Sequence, residues 1–171
     1  MVAGGKEPMR LRIALCSMSA ALVISIACGS NGRPAKSMDL ENFGTRYAAA
    51  WSSQDPARLA SFYSEEGTLI VNAGPPSIGR AAITATAQSY MAAFPDMVVT
   101  MTRMSEEAGH PVFHWLWTGT NSGPGGTGRS VRISGYEEWN LDANGLIEVS
   151  NGHFDEAEYQ RQLESGAPQQ P

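Results

Sequence analysis

Three histidines and the adjacent glutamates Glu137 and Glu138 are the groups with which this sequence could run acid–base chemistry. His114 stands inside the run Pro111 to Thr120 (PVFHWLWTGT), between Val112 and Leu116. An imidazole titrates near neutrality and can both give and take a proton. Glu138 or Tyr136, from a neighbouring strand, would make His114 a tuned base; without such a partner it is a hydrogen-bonded core residue. Glu137 and Glu138 are consecutive, so a strand sends one carboxylate to each face. One of them must enter a covered layer or a pocket, where a charge is costly unless partnered. Arg132 or Arg103 would supply a purely structural bridge. Tyr47, Trp51, Tyr63 and Tyr90 carry polar tips on aromatic bodies that suit a ligand pocket, though their helical spacing also suits plain core.

Other chemistries find no residues. His110, His114 and His153 have no short ligand spacing, so no metal site is expected. The two cysteines, Cys16 and Cys28, both lie in the N-terminal apolar segment, which leaves the rest without a thiol nucleophile. The stretch GPGGTG lacks a Gly-Lys-Ser/Thr ending and lies between strands, so it is not a phosphate loop.

The charge is divided unevenly. The formal net charge is −5, yet five of the 12 basic residues and only one of the 17 acidic ones precede Met38. From Met38 onward 7 basic residues face 16 acidic ones, a balance of −9. An acidic domain repels phosphate backbones, so nucleic acid is not an expected partner.

Residues 1–27 read as an export signal: Lys6, Arg10 and Arg12, then the uncharged run IALCSMSAALVISIA, too short for an ordinary membrane span. Ser25-Ile26-Ala27-Cys28 resembles the lipobox of bacterial lipoproteins, with Ser25 in place of the usual Leu; Cys28 would then carry the lipid. The alternative is an ordinary cleaved signal peptide, periplasmic or secreted, with Cys28 incidental. Residues 28–37 (CGSNGRPAKS) form a flexible tether and 165–171 a frayed tail.

Between them, 38–164 reads as one α+β domain. Leu40, Phe43, Tyr47, Ala50 and Trp51 share a helix face. Asp55-Pro56 starts a second helix carrying Leu59, Phe62 and Tyr63, broken at Glu66-Gly67. Thr68 to Val71 is a short strand, and a third helix runs from about Arg80 to Phe94. Four strands follow as a meander: 97–104, 111–120, 130–141 and 146–154, the last two turned at Asp142-Ala143-Asn144-Gly145. Asp155 caps a closing helix. The 111–120 strand is apolar on both parities, with Phe113, Trp115 and Trp117 on one side, so one face belongs under helices and the other against a second subunit.

This order of elements, with YAAAWSSQDPARLASFYSEEGTLIVN, FPDM, WTGTNSG and DANGLIEVSNGHFDEAEYQRQL, resembles the nuclear transport factor 2-like superfamily, in its SnoaL-like polyketide cyclase and ester cyclase branch. The likeness spans about 38–164. It implies a cone-shaped, curved antiparallel sheet covered by three N-terminal helices with a short C-terminal helix. It also implies a homodimer formed through the sheet, and a pocket for a small apolar molecule. Catalytic members work with pocket carboxylates or histidines and without metal or organic cofactor; others have no known reaction. Catalytic relatives commonly hold an acidic residue three positions before the Asp of the last helix, where this chain has Gly152. His153 beside it is the substitute, provided a bulge at Asn151-Gly152 re-aims it.

The expectation is therefore an exported, lipid-anchored protein that binds a small apolar molecule. His114, His153 and Glu138 are its acid–base candidates; Tyr47, Trp51, Tyr63 and Tyr136 line the site. Its chemistry would be cofactor-free cyclisation, isomerisation or hydrolysis. The alternative is a non-catalytic ligand-binding or protein-interaction accessory lipoprotein.

Overall fold

A computed structural model describes residues 38–168. The export segment 1–27, Cys28 and the tether to residue 37 lie outside the described residues. Among the described residues no helix is long and apolar enough to cross a membrane.

Helix α1 (Leu40–Trp51) starts at Asp39, whose carboxylate accepts the Asn42 N–H at 3.0 Å. That bond satisfies one of the orphan donors of the first turn. Its apolar stripe buries Phe43, Tyr47, Ala48 and Ala50. Helix α2 (Pro56–Ala60) repeats the device with Asp55 as cap and Pro at the first turn. Strand β1 (Tyr63–Val71) follows after two turn residues.

This corrects the sequence reading in one place. Tyr63 begins a strand rather than ending the second helix, and Glu66-Gly67 lies inside that strand. The register of β1 against β6 (Ile147–Phe154) shifts between Tyr63 and Thr68, a bulge that takes up the polar SEEG segment. Gly67 is needed there: a Cβ would stand 2.8 Å from the Ile147 carbonyl oxygen.

A two-residue strand β2 (Ser77–Ile78) leads into α3 (Gly79–Ala93), which buries Ile83, Ala87 and Met91. Strands β3 (Val98–Glu107), β4 (His110–Thr120) and β5 (Ser130–Leu141) then meander into β6. The closing helix α4 (Glu156–Ser165) is capped by Asp155. The six strands form one curved open sheet in the order β2-β1-β6-β5-β4-β3. The expected α+β architecture holds, with two differences. The sheet has six strands rather than the four of the meander plus an isolated one, and it is mixed, because β1 runs parallel to β6.

Strand alternation sorts the sheet into two faces. Phe113, Trp115 and Trp117 of β4, with Val131, Ile133, Glu137 and Trp139 of β5, turn to the helix-covered side and are buried. The core there is aromatic: Tyr47 packs edge-on to Phe62, Phe113 and Trp139, and Phe113 stacks on Trp139 at 5.0 Å.

Where β6 ends early, the edge of β5 is left open, and α4 closes it. Gln162 is buried, accepts the Arg132 N–H at 2.6 Å and donates to the Arg132 carbonyl at 3.1 Å. One side chain thus replaces a missing strand residue.

Candidate functional site

Between the helices and the covered face of the sheet lies a cavity of about 60 Å³. Every layer contributes: Trp51 from α1, Leu69 and Val71 from β1, Tyr90 from α3, and Met97 and Val99 around the start of β3. Trp115 and Trp117 of β4, Glu137 of β5, and Gly152 and Phe154 of β6 complete it. Leu69, Met97, the two tryptophans, Glu137 and Gly152 are buried; Trp51, Val71, Tyr90, Val99 and Phe154 are half-buried.

Glu137 is the only charged side chain in this lining. Its Oε2 accepts three hydrogen bonds: from the Tyr47 hydroxyl at 2.9 Å, the Trp139 indole at 3.1 Å and the Ser150 hydroxyl at 2.7 Å. Tyr47 spends its one proton on Glu137, so Tyr63, 2.7 Å away, must donate to Tyr47. The chain Tyr63–Tyr47–Glu137 therefore points its donors one way. No described side chain bonds Oε1, and Glu137 is among the residues that line the cavity.

Burial raises the Glu137 carboxyl above its ordinary value, against the three donors that would lower it. Desolvation outweighs hydrogen bonding because the site holds no cation; the ion pairs among the described residues are His153–Glu138 and Arg161–Glu158. Tyr47 and Tyr63 are pushed well above the usual phenol range, first by burial and then by the Glu137 charge, so both remain neutral donors.

Gly152 is the direct cross-strand partner of Glu137. A Cβ at Gly152 would stand 3.5 Å from Glu137 Cγ. That is ordinary van der Waals contact, and Glu137 itself puts an acidic group on the covered face at this level of the sheet. Trp115 is placed by a second glycine. Gly135 lies opposite it on β5, and the indole covers that glycine so closely that a Cβ would fall 2.4 Å from Cζ2. The indole nitrogens of Trp115 and Trp117 are sealed in the packing without an acceptor among the described residues. Ring carbons rather than N–H groups therefore face the cavity.

The acid–base candidates read from the sequence lie elsewhere. His114, Tyr136 and His153 are successive cross-strand partners on the opposite face of the sheet, with ring centroids 6.0 and 4.9 Å apart. Glu138 stands 3.3 Å from His153, not beside His114. The Nε2 of His114 meets the Ser105 hydroxyl at 2.9 Å, and burial together with Arg103 holds its pKa below the ordinary value. Strand parity is the reason: Gly152 turns inward, so His153 turns outward, and no bulge at Asn151-Gly152 reverses it. Tyr136 is exposed. Of the aromatic candidates, Trp51 and Tyr90 line the cavity; Tyr47 and Tyr63 are fully buried behind Glu137 and act on it. Glu137 itself carried one legible signal: it shares strand parity with Trp139, whereas Glu138 does not.

Solved structures share this fold. A hypothetical protein with a ketosteroid isomerase-like fold from Catenulispora acidiphila, solved in complex with trimethylamine, is 19% identical; the match covers 74% of this chain and 95% of that one, with a TM-score of 0.62. A putative SnoaL-like polyketide cyclase from Jannaschia sp. is 18% identical over 75% of this chain and 92% of the other, TM-score 0.63. The epoxide hydrolase/cyclase-like enzyme SalBIII, of pyran ring formation in the polyether salinomycin, is 16% identical over 69% and 92%, TM-score 0.59. No curated protein matches the chain. The family model of the SnoaL-like domain matches residues 45–149, more than half of the sequence, and the chain belongs to that family.

Proposed function

We propose that this SnoaL-like domain binds a small, largely apolar molecule in the cavity and moves a proton on it with Glu137, without cofactor. The observation that carries this reading is a buried carboxyl in the lining of an apolar cavity, whose Oε2 takes three donors while Oε1 has no hydrogen-bond partner among the described residues. Below its raised pKa Glu137 is neutral. Its proton rests on Oε1, because the Oε2 lone pairs are already engaged. A ligand oxygen placed there receives a hydrogen bond and then the proton. The carboxylate left behind keeps Tyr47, Trp139 and Ser150 as donors, and it can take a proton back from a different ligand atom. That cycle is an isomerisation; if a carbon nucleophile or water attacks the activated ligand first, it is a cyclisation or a hydrolysis.

The test uses small enolisable ketones, acetone and cyclopentanone, in D₂O, with α-proton exchange followed by NMR. Wild-type protein is expected to exchange roughly 10²-fold faster than Glu137→Gln, the lower end of the range for general acid–base catalysis. Equal rates remove Glu137 from the role of acid and base. Gly152, standing where catalytic relatives keep a carboxylate, favours a second reading, a binding module without turnover. Ligand binding with no exchange is its signature.

The rest of the reading concerns address and assembly. The positive segment, the uncharged run and Cys28 at its end support export and a lipid anchor. The outward ladder of His114, Tyr136 and His153, with Glu138, supports a homodimer through the open sheet face.

A further inference from the structure

We propose that the cavity takes only the apolar end of a longer ligand, whose uncharged, hydroxyl-bearing body lies in the adjoining groove between α3, the β1–β2 loop and the start of α4. The inference rests on the cavity reading above and names the rest of the molecule. Three observations lead to it.

The first is size. At roughly 30 Å³ per water the cavity holds about two waters, whereas sites for whole organic ligands run to roughly 300–1,000 Å³. The groove beside it has about 600 Å³. Leu69, Val71 and Tyr90 line both spaces. Tyr90 spans the two. Its ring stands edge-on to Trp51 and Trp117 of the cavity wall, and its hydroxyl feels the charge of Glu156 in the groove. Burial and then that carboxylate hold the phenol above its ordinary value, so it stays a neutral donor.

The second is that the groove is held in shape. Asn72 takes a left-handed backbone, with φ at 49°, which asparagine tolerates better than most residues. Three hydrogen bonds fix it there. Its N–H donates to the Gly152 carbonyl at 2.7 Å, its side-chain oxygen accepts the Phe154 N–H at 2.9 Å, and its side-chain amide donates to Glu156 at 3.1 Å. The loop is thereby tied to β6 and α4, beside two residues of the cavity itself, Gly152 and Phe154. On the α3 side the Ser77 and Thr86 hydroxyls share a hydrogen bond of 2.7 Å, and the Ser89 hydroxyl donates to the Thr86 carbonyl at 2.7 Å.

The third is the chemistry of the lining. The Ser77–Thr86 pair uses one of its two hydroxyl protons and leaves the other free. Ser89 has given its proton away and keeps its lone pairs as acceptors. Donors and acceptors thus stand side by side, and a ligand hydroxyl, being both, matches them. Charge narrows the class further. Glu156 is the one charged side chain in the groove's described lining. A carboxylate or phosphate lying there would meet that like charge with no cation to balance it. The body is therefore neutral and hydroxylated.

Three ketones of similar length test this: methyl hexyl ketone, its analogue with a hydroxyl in place of the terminal methyl, and its analogue with a carboxylate there. Dissociation constants are read by NMR titration of the full-length protein, and α-proton exchange in D₂O is followed on the same samples. The hydroxyl analogue is expected to bind about fivefold tighter than methyl hexyl ketone, the worth of one good hydrogen bond, and the carboxylate analogue more weakly than both. Thr86→Val combined with Ser77→Ala removes two groove hydroxyls, neither of which lines the cavity. It should abolish the fivefold preference and leave the affinity for methyl hexyl ketone in place. Ser89→Ala, at an exposed position, should reduce the preference by itself. A preference that survives in both variants overturns the groove. Exchange that depends on Glu137, with no preference for the hydroxyl, overturns the groove and leaves the proton-transfer reading standing. A preference lost in the variants, without exchange, supports the groove and removes the catalyst. Failure of all three ketones to bind overturns both.

Discussion

Replacing Glu137 by leucine is expected to destabilise the protein by roughly 3 kcal/mol or more, whereas Glu137→Gln should stay within about 1 kcal/mol at low pH. Leucine is apolar enough for the site. The loss comes from what it strands: the Tyr47 hydroxyl, the Trp139 indole N–H and the Ser150 hydroxyl all donate to Oε2, and all are buried. Each orphaned donor costs about 1–3 kcal/mol. Glutamine keeps an oxygen for all three and turns its amide to the cavity. The two variants also separate in pH. The folded-state pKa of Glu137 is raised above its ordinary 4.5, so the stability its neutral form confers is full below that value. It is lost as pH rises from about 4.5 through the raised pKa. Wild-type thermal stability should fall across that window; Glu137→Gln should lack that component and be at least as stable above it. Thermal melts read by circular dichroism across the pH range check both statements.

The other large effect is expected at Gly135. An added methyl would stand 2.4 Å from the His153 carbonyl oxygen and 2.4 Å from Trp115 Cζ2. The first contact is to the backbone of β6, which is held by its pairing with β1 and β5 and cannot give. The second is to a ring already pressed on Phe154. Overpacking at such a site costs about 1–3 kcal/mol, and with two immovable neighbours Gly135→Ala belongs at the upper end, about 3 kcal/mol. Gly152→Ala should cost much less, because its nearest contacts are 3.4 and 3.5 Å. Denaturant unfolding of the two variants compares them directly. Tryptophan fluorescence should shift in Gly135→Ala, since Trp115 has nowhere else to lie.

How much of this was legible follows from what each signal depends on. Capping residues and periodicity act locally, so Asp55 and Asp155 marked two helix starts in the sequence as they do in the fold. The turn at Asp142 to Gly145 was equally plain, since Gly145 takes a positive φ there. The order of elements and the quoted segments carried the family. What failed was non-local. Tyr63 to Gly67 has the polarity of a helix end, and only pairing with β6 across a bulge makes it a strand. Two consecutive glutamates announced that one would be buried, but parity alone does not say which face is covered. His114 drew attention to Glu138, and both proved to lie on the outer face. Glu137, hidden in the same dipeptide, is the group that meets the cavity. The cross-strand pairing of Gly152 with Glu137 was invisible for the same reason, since it exists only in the register of β5 against β6.

The most direct test of the account is the titration of Glu137 itself, by NMR of protein labelled with carbon-13 at the glutamate carboxyls. One resonance, absent from Glu137→Gln, should titrate above the ordinary carboxylate range. If the resonance that disappears in Glu137→Gln titrates at the ordinary value near 4.5, the buried, poised carboxyl does not exist and the assignment of the site falls with it.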